Sequence, residues 1–103
     1  MNQNTLDKII ENNSDQYIQE LVRYLRQPSL SVNGDGIEKM VEIVAESLQT
    51  RGFSVEIIPT NHWPVIFAER KGRSDRSIIF YNHYDVQPGD PLNLWVSPPF
   101  EPQ

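Results

Sequence analysis

The stretch at residues 77–88, SIIFYNHYDVQP, constrains this chain more than any other. Residues 77–81 form a largely apolar run of strand formers without polar alternation, the pattern of a strand buried on both faces of a sheet. A polar tip follows directly, with Asn82, His83, Tyr84 and Asp85, and Pro88 stops the strand three residues after Asp85. Strand side chains repeat every two residues, so His83 and Asp85 share a side, with Cα atoms about 6.6 Å apart. At that spacing the carboxylate can reach one imidazole nitrogen while the other faces outward. Many metal sites orient a histidine ligand and raise its basicity in this way. Open α/β sheets also bind their ligands beyond the carboxyl ends of strands, where this pair sits.

The tripeptide alone says little. Two His and six Asp among 103 residues give a His-x-Asp by chance in roughly one shuffled chain in nine. A histidine merely satisfied by a neighbouring aspartate at a strand end is the structural alternative. The absence of cysteine removes thiolate ligands and disulfides, so any metal must rest on His, Asp or Glu.

Three separated segments, in order, carry a family resemblance over about residues 15–103. The strand and tip read IIFYNHYDVQP, which resembles the first metal-site motif of the M20 metallopeptidases: an apolar strand, a small residue, His, any residue, Asp, Val, any residue, Pro. Asn82 stands where that family usually has Gly or Ser. Upstream, RQPSLS from Arg26 to Ser31 resembles the family's R-I-P-S-V-S helix exit. Downstream, the tail from Trp95 through Pro98, Pro99, Phe100, Glu101 and Pro102 resembles a dipeptidase-type W-x-x-x-P-F-x-P loop.

The resemblance implies that His83 is a ligand to one of two metal ions, usually zinc. It implies that Asp85 is bonded to the His83 imidazole and sets its orientation. In the complete family site, two metals activate a bridging water against an amide carbonyl, lowering its pKa and stabilising the developing oxyanion. The implied substrates are small peptides or acyl-amino acids. The bridging Asp, the general base, the later ligands and a second, smaller domain would all lie beyond residue 103. A catalytic zinc takes three protein ligands plus an open position, and His83 is the one ligand in view. The chain alone is therefore expected to bind zinc weakly and hydrolyse nothing. The alternative from another class is a non-catalytic α/β remnant or interaction module.

Length allows one domain, so residues 1–103 read as the N-terminal segment of one catalytic domain, with 1–14 a polar extension. A net charge of −5 and a pI near 4.9 argue against nucleic acid or an anionic membrane surface as partner. The N-terminus resembles no signal peptide, and no apolar stretch approaches the roughly 20 residues that span a bilayer. A cytoplasmic location is the expectation.

Leu6, Ile9 and Ile10 make a short helical stripe that Asn12, Asn13 and Ser14 are expected to interrupt. Ser14 then caps a helix carrying Ile18, Leu21, Val22 and Leu25, ended by Pro28. Residues 29–36 form a loop. A second helix opens on a capping box of Asp35 and Glu38. It buries Ile37, Met40, Val41, Val44 and Leu48, and closes through Arg51 and a left-handed Gly52. Glu38, Glu42 and Glu46 mark its solvated face. Phe53, Val55 and Ile57 alternate as a half-buried strand, and residues 65–70 read as another. His62 is expected in an exposed turn, Tyr84 facing away from the His83 side, and Trp95 and Phe100 packed against the protein.

The fold class is α/β: a partial three-layer sheet with helices packed against it, a truncated zinc-peptidase catalytic domain. The run at 77–81 would need neighbours on both edges. An uncovered edge there should favour self-association.

Overall fold

The computed structural model describes residues 2–103. They form, in order, helix α1 (Gln3–Arg26), helix α2 (Ile37–Thr50), strand β1 (Ser54–Ile58), strand β2 (Val65–Glu69) and a short 3-10 turn (Leu92–Leu94). The chain divides into two compact units: the segment up to Gln27 with Pro91–Gln103, and Pro28–Asp90.

In the first unit, α1 is one unbroken helix of 24 residues. Asn2 caps it, accepting from the Thr5 amide at 2.9 Å and the Thr5 hydroxyl at 2.7 Å. The expected break at Asn12, Asn13 and Ser14 does not occur. Asn13 Nδ2 donates to the Ile9 carbonyl at 2.7 Å, and Ser14 Oγ to the Glu11 carbonyl at 3.1 Å. Polar side chains that can leave a helix by bonding its backbone here do so without leaving it. Residues 3–14 are thus the first half of α1. Arg23 and Arg26 occupy the last turn, where cations complement the helix dipole. Gln27 ends the helix before Pro28, as the proline predicts. In the tail, Phe100 is half-buried, whereas Trp95 is mostly exposed, against the expectation of packing.

In the second unit, α2 packs on a hairpin of β1 and β2. Its apolar face is wider than the expected stripe. Ile37, Met40, Val41, Ile43 and Ala45 are buried, with Val44 and Leu48 half-buried. Glu38, Glu42 and Glu46 are exposed, as a solvated face requires, and Lys39 pairs with Glu42 at 2.7 Å. The N-terminal capping box does not form. Gly36, at φ +74°, occupies the cap position, and the Asp35 amide instead donates to Asn33 Oδ1 at 3.0 Å. A left-handed residue just before the helix turns the chain in without a side-chain cap. The C-terminal end follows the sequence closely. Gly52 is left-handed at φ +80°. Its amide donates to the Gln49 carbonyl and that of Phe53 to the Leu48 carbonyl, the double closure of a Schellman motif. Arg51 adds its guanidinium to the Ser47 carbonyl at 2.9 Å.

The hairpin is antiparallel, with register from Ser54↔Glu69 to Ile58↔Val65. Val55↔Ala68 and Ile57↔Ile66 lie on one face, while Glu56↔Phe67 lies on the other. The alternation in the sequence placed β1 within one residue of its observed start.

Residues 77–81 overturn an expectation. They form no strand. Ile79 is 90% and Tyr81 92% exposed. Burial on both faces requires paired neighbours and covering layers, and the sheet among the described residues has only β1 and β2. The apolar run is a strand sequence without its sheet, because β pairing is set by tertiary context more than by local preference.

Candidate functional site

The tip at 82–86 is nevertheless placed, because two other segments of the second unit bond to it and to each other. The segment after α1 supplies the first tie. Leu30 and Val86 form a parallel bridge, and the Val86 amide donates to the Ser29 carbonyl at 2.9 Å. Ser29 is 1% exposed, and no buried side-chain nitrogen or oxygen among the described residues lacks a partner. The loop at 29–36 closes on itself: the Leu30 amide donates to the Asp35 carbonyl and the Gly34 amide to the Leu30 carbonyl, both at 2.8 Å.

The turn between β1 and β2 supplies the second tie. Thr60 Oγ1 accepts from the His62 amide at 3.0 Å and donates to the Trp63 carbonyl at 2.9 Å, fixing the turn. The Trp63 indole then reaches the first loop, Nε1 donating to the Ser31 carbonyl at 2.9 Å. Gly34, at φ +80°, lets the indole approach: a Cβ there would lie 2.4 Å from its far edge. The third tie is Tyr84, half-buried, whose hydroxyl donates to the Pro64 carbonyl at 2.6 Å. Burial, then the nearby Asp85 charge, raises the Tyr84 phenol above its ordinary value.

His83 and Asp85 meet on one side, as the strand spacing predicts. His83 Nδ1 lies 2.9 Å from the Asp85 carbonyl oxygen and 3.3 Å from its carboxylate Oδ1. The main-chain oxygen is the nearer partner, which the expected carboxylate contact did not anticipate. Both oxygens can only accept, so a hydrogen bond to either uses a proton on Nδ1 and leaves Nε2 facing outward. The His83 side chain is 78% exposed and that of Asp85 37%. The Ser31 side chain, with help from Asp85's own backbone and from His83, holds the Asp85 carboxyl below its ordinary value against the opposing effect of burial.

The arrangement can offer Nε2 of one imidazole, whose Nδ1 faces Asp85, to a Lewis acid. It supplies one donor of the three or four that a divalent cation needs. Among the described residues, no group of three or more His, Asp or Glu side chains gathers as a metal site. His62 lies in the exposed turn, as expected. Sequence reasoning missed Ser31 and Trp63. Ser31 did stand inside the RQPSLS segment, and Trp63 carried no local signal of its 32-residue reach.

No protein-family model matches the chain. Among curated proteins it is similar to the succinyl-diaminopimelate desuccinylase of Dechloromonas aromatica (strain RCB), 40% identical over 63 residues. That alignment covers 61% of this chain and 16% of the relative. Among solved structures it is similar to the M20 family metallo-carboxypeptidase Sso-CP2 from Sulfolobus solfataricus, with a TM-score of 0.76 at 33% identity. The match covers 81% of this chain and 19% of that one. Each likeness spans only a small part of the relative's own length. The chain thus matches part of the fold of an M20 family enzyme, and both likenesses support an M20-type relationship. No helix of the described residues is long and apolar enough to cross a membrane.

Proposed function

We propose that this chain contributes one metal ligand, His83, to a zinc-dependent hydrolase of small amide substrates, with Asp85 as the group that orients it. The observation that supports this best is the pair of acceptor oxygens facing His83 Nδ1, at 2.9 and 3.3 Å, which directs a proton to that nitrogen and leaves the Nε2 lone pair for a cation. The desuccinylase and carboxypeptidase relatives act on an acyl-amine and on peptides by their names. The dipeptidase-like tail from Trp95 to Pro102 favours small peptides here.

The donor set fits a divalent cation as a partial site, and the hard and borderline ligands present also suit manganese or cobalt. When bound, such a pair of ions supplies an acidified water and a positive charge for the carbonyl oxygen. This chain's own residues do the following. Asp85 accepts a hydrogen bond from Nδ1–H through its main-chain and carboxylate oxygens. Leu30, Val86 and Tyr84 hold the tip against the neighbouring loops. The exposed 77–81 run pairs with strands that complete the sheet. The remaining ligands and the general base come from outside the described residues, so the chain alone is inactive.

Calorimetric zinc titration, together with dipeptide and acyl-amino-acid assays, tests this reading. One donor predicts a dissociation constant of about a millimolar or weaker, roughly −4 kcal/mol, and no hydrolysis. Micromolar binding, or metal-dependent turnover lost in His83→Ala, would contradict the partial-site reading. An imidazole nitrogen-15 spectrum in which excess zinc leaves His83 unchanged would favour a non-catalytic α/β module instead.

A further inference from the structure

We propose that Asn33 is a site of spontaneous covalent modification, deamidation through a cyclic imide. The closed loop at 29–36 holds the reaction off, and the isoaspartate product prevents that loop from closing again. The inference is independent of the ligand reading of His83.

Of the chain's asparagines, Asn33 alone is followed by glycine. The Gly34 nitrogen gives its proton to hydroxide and bonds to the Asn33 side-chain carbonyl carbon. The side-chain amino group leaves as ammonia with a proton from water. Water then adds to one of the two carbonyls of the five-membered imide and breaks that carbon's bond to nitrogen. One opening gives aspartate; the other gives isoaspartate, in which the main chain runs through the side-chain carbons. A side chain on residue 34 would crowd the attacking nitrogen, and glycine has none. Asn33 is exposed, so hydroxide and water reach it.

The folded loop opposes the first step. The Gly34 amide donates to the Leu30 carbonyl at 2.8 Å. An electron pair left by deprotonation lies where the proton lay, so in the closed loop it would face the Leu30 oxygen and not the Asn33 side chain. A proton held in such a bond leaves when the bond opens. The Asp35 amide donates to Asn33 Oδ1 at 3.0 Å. That bond polarises the carbonyl, yet it also holds the side chain in one position. The Leu30 amide on the Asp35 carbonyl and the Trp63 indole over Gly34 close the loop further. Attack therefore waits for local opening.

The two products differ in what they restore. Aspartate keeps an acceptor for the Asp35 amide and returns a hydrogen to the Gly34 nitrogen. Isoaspartate lengthens the main chain by one carbon immediately before Gly34. There is no slack at this point, since even a Cβ on Gly34 would lie 2.4 Å from the indole. The lengthened loop cannot seat Gly34 beneath the ring, and its bridge from Leu30 to Val86 is loosened with it.

The test incubates the full 103-residue chain at mildly alkaline pH, folded and in denaturing urea, with circular dichroism reporting the fold. Peptide-mapping mass spectrometry follows the exchange of the side-chain NH2 for OH at each asparagine. In urea, Asn33 should react faster than every other asparagine; if it does not, the site is wrong. Folded, Asn33 should react at least about tenfold more slowly than in urea, the fraction of time the loop is open setting the rate. A smaller ratio overturns the gating. The isoaspartate chain, separated by chromatography, should lose hydrogen-exchange protection at the Val86 amide, which donates to the Ser29 carbonyl. Asn33→Asp, which carries the added charge without the added carbon, should keep that protection. An isoaspartate chain protected like wild type, or an Asn33→Asp chain that loses protection equally, overturns the claim that the lengthened backbone keeps the loop open.

Discussion

Replacing Gly34 with alanine places a methyl group where the Trp63 indole already lies. Two costs follow from the structure. The first is the backbone: at φ +80° a residue with a Cβ is disfavoured by about 1 kcal/mol or somewhat more. The second is steric. The new Cβ would sit 2.4 Å from Cη2 and 3.1 Å from Cζ2 and Cζ3, well inside the roughly 3.5–4.0 Å of ordinary carbon contact. The ring must therefore move by about an ångström, which breaks the bond from Nε1 to the Ser31 carbonyl. Such a bond is worth about 1 kcal/mol net. Gly34→Ala should thus destabilise the chain by about 2–3 kcal/mol. In a Trp63→Phe background both the ring edge and the Nε1 donor are already gone. The same substitution should then cost only the backbone share, a coupling of about 1 kcal/mol. Urea unfolding followed by far-ultraviolet circular dichroism measures all four chains of the cycle without depending on tryptophan emission. Equal costs of Gly34→Ala in the two backgrounds would refute the proposed indole contact.

Further predictions concern the pH response, the core and the exposed run. Asp85 has a folded-state pKa below its ordinary 3.8. Its ionised form therefore contributes stability that is present above that value and is lost as pH falls through the lower folded pKa. The stability difference between wild type and Asp85→Asn should hold steady from about pH 7 to pH 5 and shrink below about pH 4, as read from urea midpoints. A difference that grows on acidification would contradict the assigned direction. Met40→Ala removes a buried side chain from the α2 face and should cost about 2–5 kcal/mol, whereas Glu42→Ala on the solvated face should cost less than about 1 kcal/mol. Residues 78–81 are exposed and apolar, so size-exclusion chromatography should show concentration-dependent association that Ile79→Lys reduces. A concentration-independent monomer would count against it.

Much of the local structure was legible in residue spacing. Helix α2 announced itself through Ile37, Met40, Val41, Val44 and Leu48 and through its closing Gly52, because those signals are satisfied within one or two turns. Strand β1 followed from the alternation of Phe53, Val55 and Ile57. The shared side of His83 and Asp85 followed from a two-residue repeat. The misreadings came where a local signal had two outcomes. Asn13 and Ser14 can break a helix or bond back within it, and neighbours of good helix propensity decided for the latter. Asp35 and Glu38 had capping spacing, yet the left-handed Gly36 already turned the chain. The 77–81 run read correctly as apolar but not as paired, since the sheet among the described residues holds only β1 and β2. Ser31 and Trp63 were invisible as site residues because their partners lie tens of positions away. Periodicity carries no information at that range.

Zinc titration followed by nitrogen-15 NMR probes the imidazole directly. With millimolar zinc at neutral pH, the Nε2 resonance of His83 should shift first, ahead of His62 and with Nδ1 still protonated against Asp85. Zinc appearing at Nδ1, or engaging His62 while His83 stays unchanged, would show that the exposed imidazole was never arranged to receive a cation.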